Sequence, residues 1–211
     1  MYRVHGDKII RRRTNYRREN DIQKYTKILK EDFGNMCGYC GKDFNIIKCP
    51  YQKDHLIPEY IAKKVGRLDL LTDYNNLVYS CRVCNRNKWK KWPFDNVDKI
   101  HDDRVGFVDP ATDEFDEHLM RDETGRIVPK TQVGDYMYKI FNFSNRLTDV
   151  WWKLSVISKE IKEIDSILEK EETVDGLKQY RRLHKLFYPF GYLLYFYRKS
   201  FPQLLFFCIS L

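Results

Sequence analysis

The sequence predicts an α+β fold: a small strand–strand–helix unit clasped by four cysteines, embedded in a mainly α-helical protein. Three observations predict it. Two paired-cysteine motifs, Cys37-Gly-Tyr-Cys40 and Cys81-Arg-Val-Cys84, bracket residues 41–80. Short strand-like segments lie between them. After Tyr136 the apolar residues recur at helical spacing. The chain has 211 residues, 43% hydrophobic and 32% charged, which supports a core and excludes a disordered chain. Four segments follow: a basic arm and N-terminal helix (1–35), the cysteine-rich core (36–92), an acidic, turn-rich stretch with short strands (93–134) and a helical C-terminal region (135–211).

The arm comes first. Residues 1–30 hold ten Lys or Arg, including Arg11, Arg12 and Arg13, against Asp7, Glu19 and Asp21. Such a concentration of positive charge attracts a polyanion. The first twenty residues are charged and hold only Ile9-Ile10 as an apolar pair, so no secretory signal is expected and a reducing, cytoplasmic location follows. Residues 19–33 read as a helix, with Ile22, Tyr25, Ile28, Leu29 and Phe33 on one face and Gly34-Asn35 as its stop.

The cysteines come next. A two-residue gap lets both thiolates of a pair turn toward one ion, and two pairs complete a tetrahedral Zn²⁺ shell. Cys37, Cys40, Cys81 and Cys84 are therefore the expected ligands of a structural zinc, with no open coordination position. Cys49 and Cys208 read as ordinary thiols.

Between the pairs lies Lys53-Asp54-His55-Leu56-Ile57-Pro58, followed by Asn75-Asn76-Leu77-Val78-Tyr79-Ser80-Cys81 and Arg82-Val83-Cys84-Asn85-Arg86-Asn87-Lys88. The order reads strand, loop, strand, helix: one strand delivers Asp54-His55, Leu77–Ser80 forms the second, and the helix starts near Val83. Pro58–Val65 reads as a short helix. Arg82, Arg86, Lys90 and Lys91 make a second basic surface, where Trp89 and Trp92 stack or simply pack.

Cys-x-x-Cys, Asp-His-x-x-Pro, Asn-Leu and Cys-x-x-Cys-Asn-x-x-Lys, in this order over residues 36–92, resemble the HNH endonucleases, whose fold is the ββα-metal or His-Me finger. The resemblance implies a phosphodiester hydrolase. His55 matches the general base, and Asp54 a carboxylate ligand of the catalytic Mg²⁺, for which Mn²⁺ substitutes. Asn85 stands where the family places the second protein ligand. Asn76 matches the residue that braces the His-bearing loop, and Lys88, one helical turn from Asn85, would hold a phosphate. Arg82, Arg86, Lys90, Lys91 and Arg11–Arg13 would bind DNA. Glu59–Asp73 departs from the family's Gly-rich loop, which bears on substrate access.

Residues 101–125 carry nine acids against Arg104 and Arg121, with no ligand spacing among the acids, so a solvated loop is expected. Gly106-Phe107-Val108 and Arg126-Ile127-Val128 read as short strands. Val150, Leu154, Ile157, Ile161, Ile164 and Leu168 form a heptad-like seam that seeks a partner helix, in this chain or in a second copy. The apolar C-terminus, Leu186–Tyr197 and Phe201–Leu211, is interrupted by Pro189, Arg198-Lys199 and Pro202. Burial or protein docking is expected of it and a membrane span is not. Phe107-Val-Asp-Pro110, Gly125-Arg-Ile-Val-Pro129 and Asn145-Arg146 look like the layout of HNH proteins from bacterial anti-phage systems, Septu-type and retron-associated. This looser resemblance implies a nuclease effector working beside an ATPase. A stand-alone restriction or homing nuclease, and a zinc-stabilised DNA-binding module without catalysis, stay open.

Overall fold

The computed structural model describes residues 1–47, 49–170 and 173–200. The fold is α+β. Asp21 caps a 3-10 turn, Ile22–Tyr25, that leads into α1, Thr26–Asp32, and buries Tyr25 and Leu29. The helix stops where Gly34 and Asn35 both take positive φ, 55° and 56°. Strands β1 (Tyr51–His55) and β2 (Leu77–Cys81) pair antiparallel, with Asp54 opposite Val78 and His55 opposite Leu77. Helix α2, Glu59–Lys64, starts directly after Pro58, and α3, Arg82–Lys88, directly follows β2.

Downstream, α4 (Phe115–His118) runs into β3 (Leu119–Arg121), which pairs with β4 (Ile127–Pro129). The second strand of this hairpin was expected; its expected companion, Gly106-Phe107-Val108, is not a strand. Gly106 makes an isolated bridge to His101, and Phe107 is fully buried with its ring against Trp92 and Phe141. Packing of a large ring outweighs the local strand preference there. Thr131 caps α5 (Gln132–Ile140), and α6 (Thr148–Leu168) packs along α7 (Val174–Ser200). The seam thus finds its partner helix within the chain. Pro189 lies inside α7 rather than ending it. Phe201–Leu211 and Cys208, whose burial or docking was expected, lie outside the described residues. No helix among the described residues is long and apolar enough to cross a membrane.

One hydrophobic cluster runs from Val4 and Ile10 of the arm through the finger to Phe143. Arg121 joins its parts. Its side chain is 1% exposed and donates to the carbonyls of Val4, Gly125, Thr148 and Cys40 at 2.7–3.1 Å. Burial pushes its pKa down to about 10, which still leaves a cation at neutral pH. The guanidinium therefore ties the arm, the β3–β4 hairpin, the start of α6 and the first cysteine knuckle together.

Candidate active site and metal centre

Residues two apart on a strand share a face, as do residues three apart on a helix. β1 and α3 use this. Gln52 and Asp54 face α3, where Asn85 Nδ2 donates to Gln52 Oε1 (2.6 Å) and Lys88 Nζ lies 3.1 Å from Asp54 Oδ2. Tyr39, from inside the first knuckle, also donates its hydroxyl to Asp54 Oδ2 at 2.6 Å. Its ring stacks on Phe141, and burial, then the Asp54 charge, hold its hydroxyl well above the usual phenol range.

Lys88 is 1% exposed and donates to the His55 carbonyl at 2.6 Å. Burial pulls its ammonium down and Asp54 opposes that. This corrects the expectation that Lys88 meets a phosphate: its ammonium is spent inside, bracing β1 at the point where Asp54 and His55 stand.

His55 itself is fixed by the loop before β2. A carbonyl can only accept, so Nε2–H donates to Leu71 O (2.9 Å) and leaves the Nδ1 lone pair as the proton acceptor. Glu59 Oε1 lies 3.5 Å from Nδ1. A hydrogen bond from Lys63 holds the Glu59 carboxyl below its ordinary range. Buried Asn76 brackets the turn after His55: its Oδ1 accepts from Ile57 N (2.8 Å), its Nδ2 donates to Ile57 O and Leu70 O (3.0 Å each), and its carbonyl accepts from Leu56 N. The amide has thus filled three bonds in a buried loop.

The four cysteines converge. Cys37, Cys40, Cys81 and Cys84 are buried, and their sulfurs all lie within 4.8 Å of one another. Cys40 Sγ and Cys81 Sγ are 3.9 Å apart, close to the roughly 3.8 Å edge of a tetrahedron with Zn–S bonds of about 2.3 Å. Backbone N–H groups of Cys81 and Cys84 point at Cys37 and Cys81 sulfurs. Gly41 takes φ 66° to close the first knuckle, against the Val4 carbonyl, where a side chain would not fit. Arg146, half-buried, donates Nη1 to Cys84 Sγ (3.2 Å) and Nη2 to Cys81 Sγ (3.7 Å). Burial alone would lower its pKa, but the surrounding sulfurs outweigh that and raise it. Four thiolates around a divalent ion leave two net negative charges, and Arg146 answers part of them. The donor set fits a closed, structural zinc site.

The arm departs from expectation. Arg11 Nη2 binds both oxygens of Asp113 (2.8 and 2.6 Å), Arg12 pairs with Asp109 (2.6 Å), and Arg13 pairs with Asp32 and Glu31. Arg3 pairs with Asp116. Arg12 also donates twice to Leu77 O, and its side chain is 8% exposed. Three acids of 109–116 therefore pair with the arm, the Arg11–Asp113 pair at the exposed surface and the Arg12–Asp109 pair largely buried, while the bonds of Arg12 to Leu77 O tie the arm to the finger. Arg82, Arg86, Lys90 and Lys91 remain exposed around α3, with Trp89 68% exposed beside Lys90. Trp92 packs inward on Phe107.

Tyr39, Gln52 and Glu59 were not expected as site residues, and Arg146 was expected only as part of the Asn145-Arg146 resemblance, not at the cysteines. Tyr39 sat in view as a knuckle residue, and Glu59 lies four residues past His55, at the start of α2. Arg146 is 62 residues from Cys84, so no local signal could join them.

Comparison with known proteins agrees with this geometry. Residues 37–91 match the model of the HNH endonuclease family. This segment is similar to an HNH domain. The chain is also similar to a Septu protein PtuB from Bacillus mycoides (strain KBAB4), 27% identical in an alignment of 170 positions that covers 71% of this chain and 54% of that protein. The chain thus spans about half the length of that relative. No solved structure matches. The HNH match covers the finger, and the similarity to PtuB extends beyond it.

Proposed function

We propose that this chain is a divalent-metal-dependent endonuclease that hydrolyses phosphodiester bonds of DNA, acting in the cytoplasm as the nuclease effector of an anti-phage system with a partner ATPase. The observation that carries the nuclease reading is the fixed tautomer of His55, with Nε2 committed to Leu71 O and Nδ1 left to take a proton from water. Glu59, an anion 3.5 Å from Nδ1, stabilises the imidazolium that results. Asn76 holds the loop. Asp54 and Asn85 supply the hard oxygen donors that Mg²⁺ prefers, and a cation there would neutralise charge on the leaving oxygen. The exposed bases around α3 hold the DNA backbone. The defence role rests on the similarity to PtuB.

One observation favours a second reading. Asp54 Oδ2 already accepts from Lys88 and Tyr39, which suits a zinc-stabilised DNA-binding module without catalysis. Supercoiled plasmid incubated with the full chain in Mg²⁺, Mn²⁺ or EDTA, beside His55→Ala, separates the two. Metal-dependent nicking lost in the variant supports the nuclease. DNA binding that ignores EDTA, with no cleavage in the presence of the partner ATPase, supports the module.

A further inference from the structure

The acidic segment holds a second cluster of ligand-type side chains, apart from the finger. Glu114 precedes α4 and His118 ends it, so the two share one helix face. His101 reaches them from the loop before Gly106. One ligand atom from each lies within 4.8 Å of the others. His101 Nε2 is 3.0 Å and His118 Nε2 3.7 Å from the same atom, Glu114 Oε1. Ligand atoms around a tetrahedral ion with bonds of about 2.0–2.1 Å stand roughly 3.3 Å apart, so the observed spacings bracket that value.

The outer nitrogens are arranged for the same end. His118 Nδ1 is 2.6 Å from Thr131 Oγ1, which also caps α5 by accepting from Gly134 N. His101 Nδ1 is 3.3 Å from the Asp102 carbonyl. An N–H at each Nδ1 satisfies these oxygens and turns a bare Nε2 lone pair toward Glu114, the tautomer a metal ligand needs. A neutral His101 without an ion would set a lone pair against an oxygen acceptor on one side or the other. Gly134 presses against the His118 carbonyl so closely that a side chain would not fit, which fixes where His118 stands.

We propose that His101, Glu114 and His118 bind a second divalent transition-metal ion, Zn²⁺ by donor type, with its remaining coordination open to solvent. Two imidazoles and one carboxylate suit zinc better than magnesium. Glu114 is 44% exposed, so an ion can enter without unfolding. The ion clamps the loop at His101 to α4. Between those points lie Asp109 and Asp113, which hold Arg12 and Arg11, so the site fixes the segment that straps the arm.

The test uses the full chain. Wild type, Glu114→Gln and the double variant His101→Gln/His118→Gln are equilibrated with the same free Zn²⁺, and bound zinc per chain is measured by atomic absorption. Co²⁺ is the second probe. Its thiolate charge-transfer bands report the cysteine site alone, and circular dichroism reports the fold. The expected result is one ion fewer per chain in the double variant, at least about tenfold weaker binding of that ion in Glu114→Gln, and unchanged thiolate bands in both. Equal zinc content in wild type and folded variants would mean a plain His–Glu ion pair and overturn the proposal. If the double variant does not fold, Glu114→Gln decides by itself: an unchanged affinity overturns the site.

Discussion

Lys88 Nζ and Asp54 Oδ2 stand 3.1 Å apart with side chains 1% and 7% exposed, and the same ammonium donates to the carbonyl of His55. Two adjacent residues of β1 therefore depend on one helical lysine. A buried pair broken from one side leaves an uncompensated charge, so Lys88→Met is expected to destabilise the fold by about 3–5 kcal/mol. Lys88→Met/Asp54→Asn should regain a substantial part, because both charges are gone. Urea unfolding of zinc-loaded protein measures each. A cost within the range of surface substitutions, about 0.5 kcal/mol, would show that the pair is not a buried brace.

Arg146 gives a second expectation. It is the cation that faces Cys81 and Cys84 sulfurs, at 3.7 and 3.2 Å. Partners of this kind typically account for about 10–100-fold in metal affinity. Arg146→Gln should therefore release zinc to a competing chelator at roughly that much lower chelator strength. Cys49→Ser, outside the cluster, should leave release unchanged. Equal retention by Arg146→Gln and wild type would remove Arg146 from the metal centre.

The finger was legible because its signals are local and ordered: the cysteine pairs, Asp54-His55, Asn76 and Asn85 lie in or beside β1, β2 and α3, which follow one another along the chain. The acidic segment was not legible, because its partners are distant. Nothing in the sequence joins Asp109 to Arg12 or Asp116 to Arg3, separated by 97 and 113 residues. Charge blocks of opposite sign read separately as a DNA-binding arm and a solvated loop, and the fold pairs three bases of one with three acids of the other. Lys88 was misread for a related reason. Periodicity assigned its helix face, but whether that face meets solvent or β1 is a tertiary fact. Phe107 likewise left its expected strand for a place between two rings.

The strapped arm makes the two basic surfaces separable by experiment. Arg12→Ala removes a largely buried partner of Asp109 and two bonds to Leu77 O, and should cost about 3 kcal/mol of stability. Its effect on the salt dependence of DNA binding should be small, since its charge already belongs to Asp109. Lys90→Ala and Lys91→Ala should do the reverse, leaving stability within about 0.5 kcal/mol of wild type and lowering the slope of log K against log salt by about 1 each. Fluorescence anisotropy across a salt series checks both. A slope unchanged by Lys90→Ala and Lys91→Ala, and lowered by Arg12→Ala, would return the DNA contact to the arm.

His5 makes stability depend on pH. It is 3% exposed, its Nε2 donates to Gly38 O at 2.7 Å, and burial lowers its pKa to about 3. The folded protein thus keeps His5 neutral while the unfolded chain protonates it below about 6.5, so acid favours unfolding. The stabilisation is complete above the unfolded pKa and is lost progressively as pH falls from 6.5 toward 3. Between pH 8 and pH 5.5 this one group should cost about 1.4 kcal/mol, the unfolded chain binding close to one more proton. His5→Gln retains a donor for Gly38 O and has nothing to titrate. Its unfolding free energy should therefore fall less over that interval, by about the same amount, when the two proteins are compared in urea with zinc bound. Parallel pH profiles for wild type and His5→Gln would mean that His5 takes up its proton without leaving Gly38, and the knuckle would then tolerate a charge that its burial argues against.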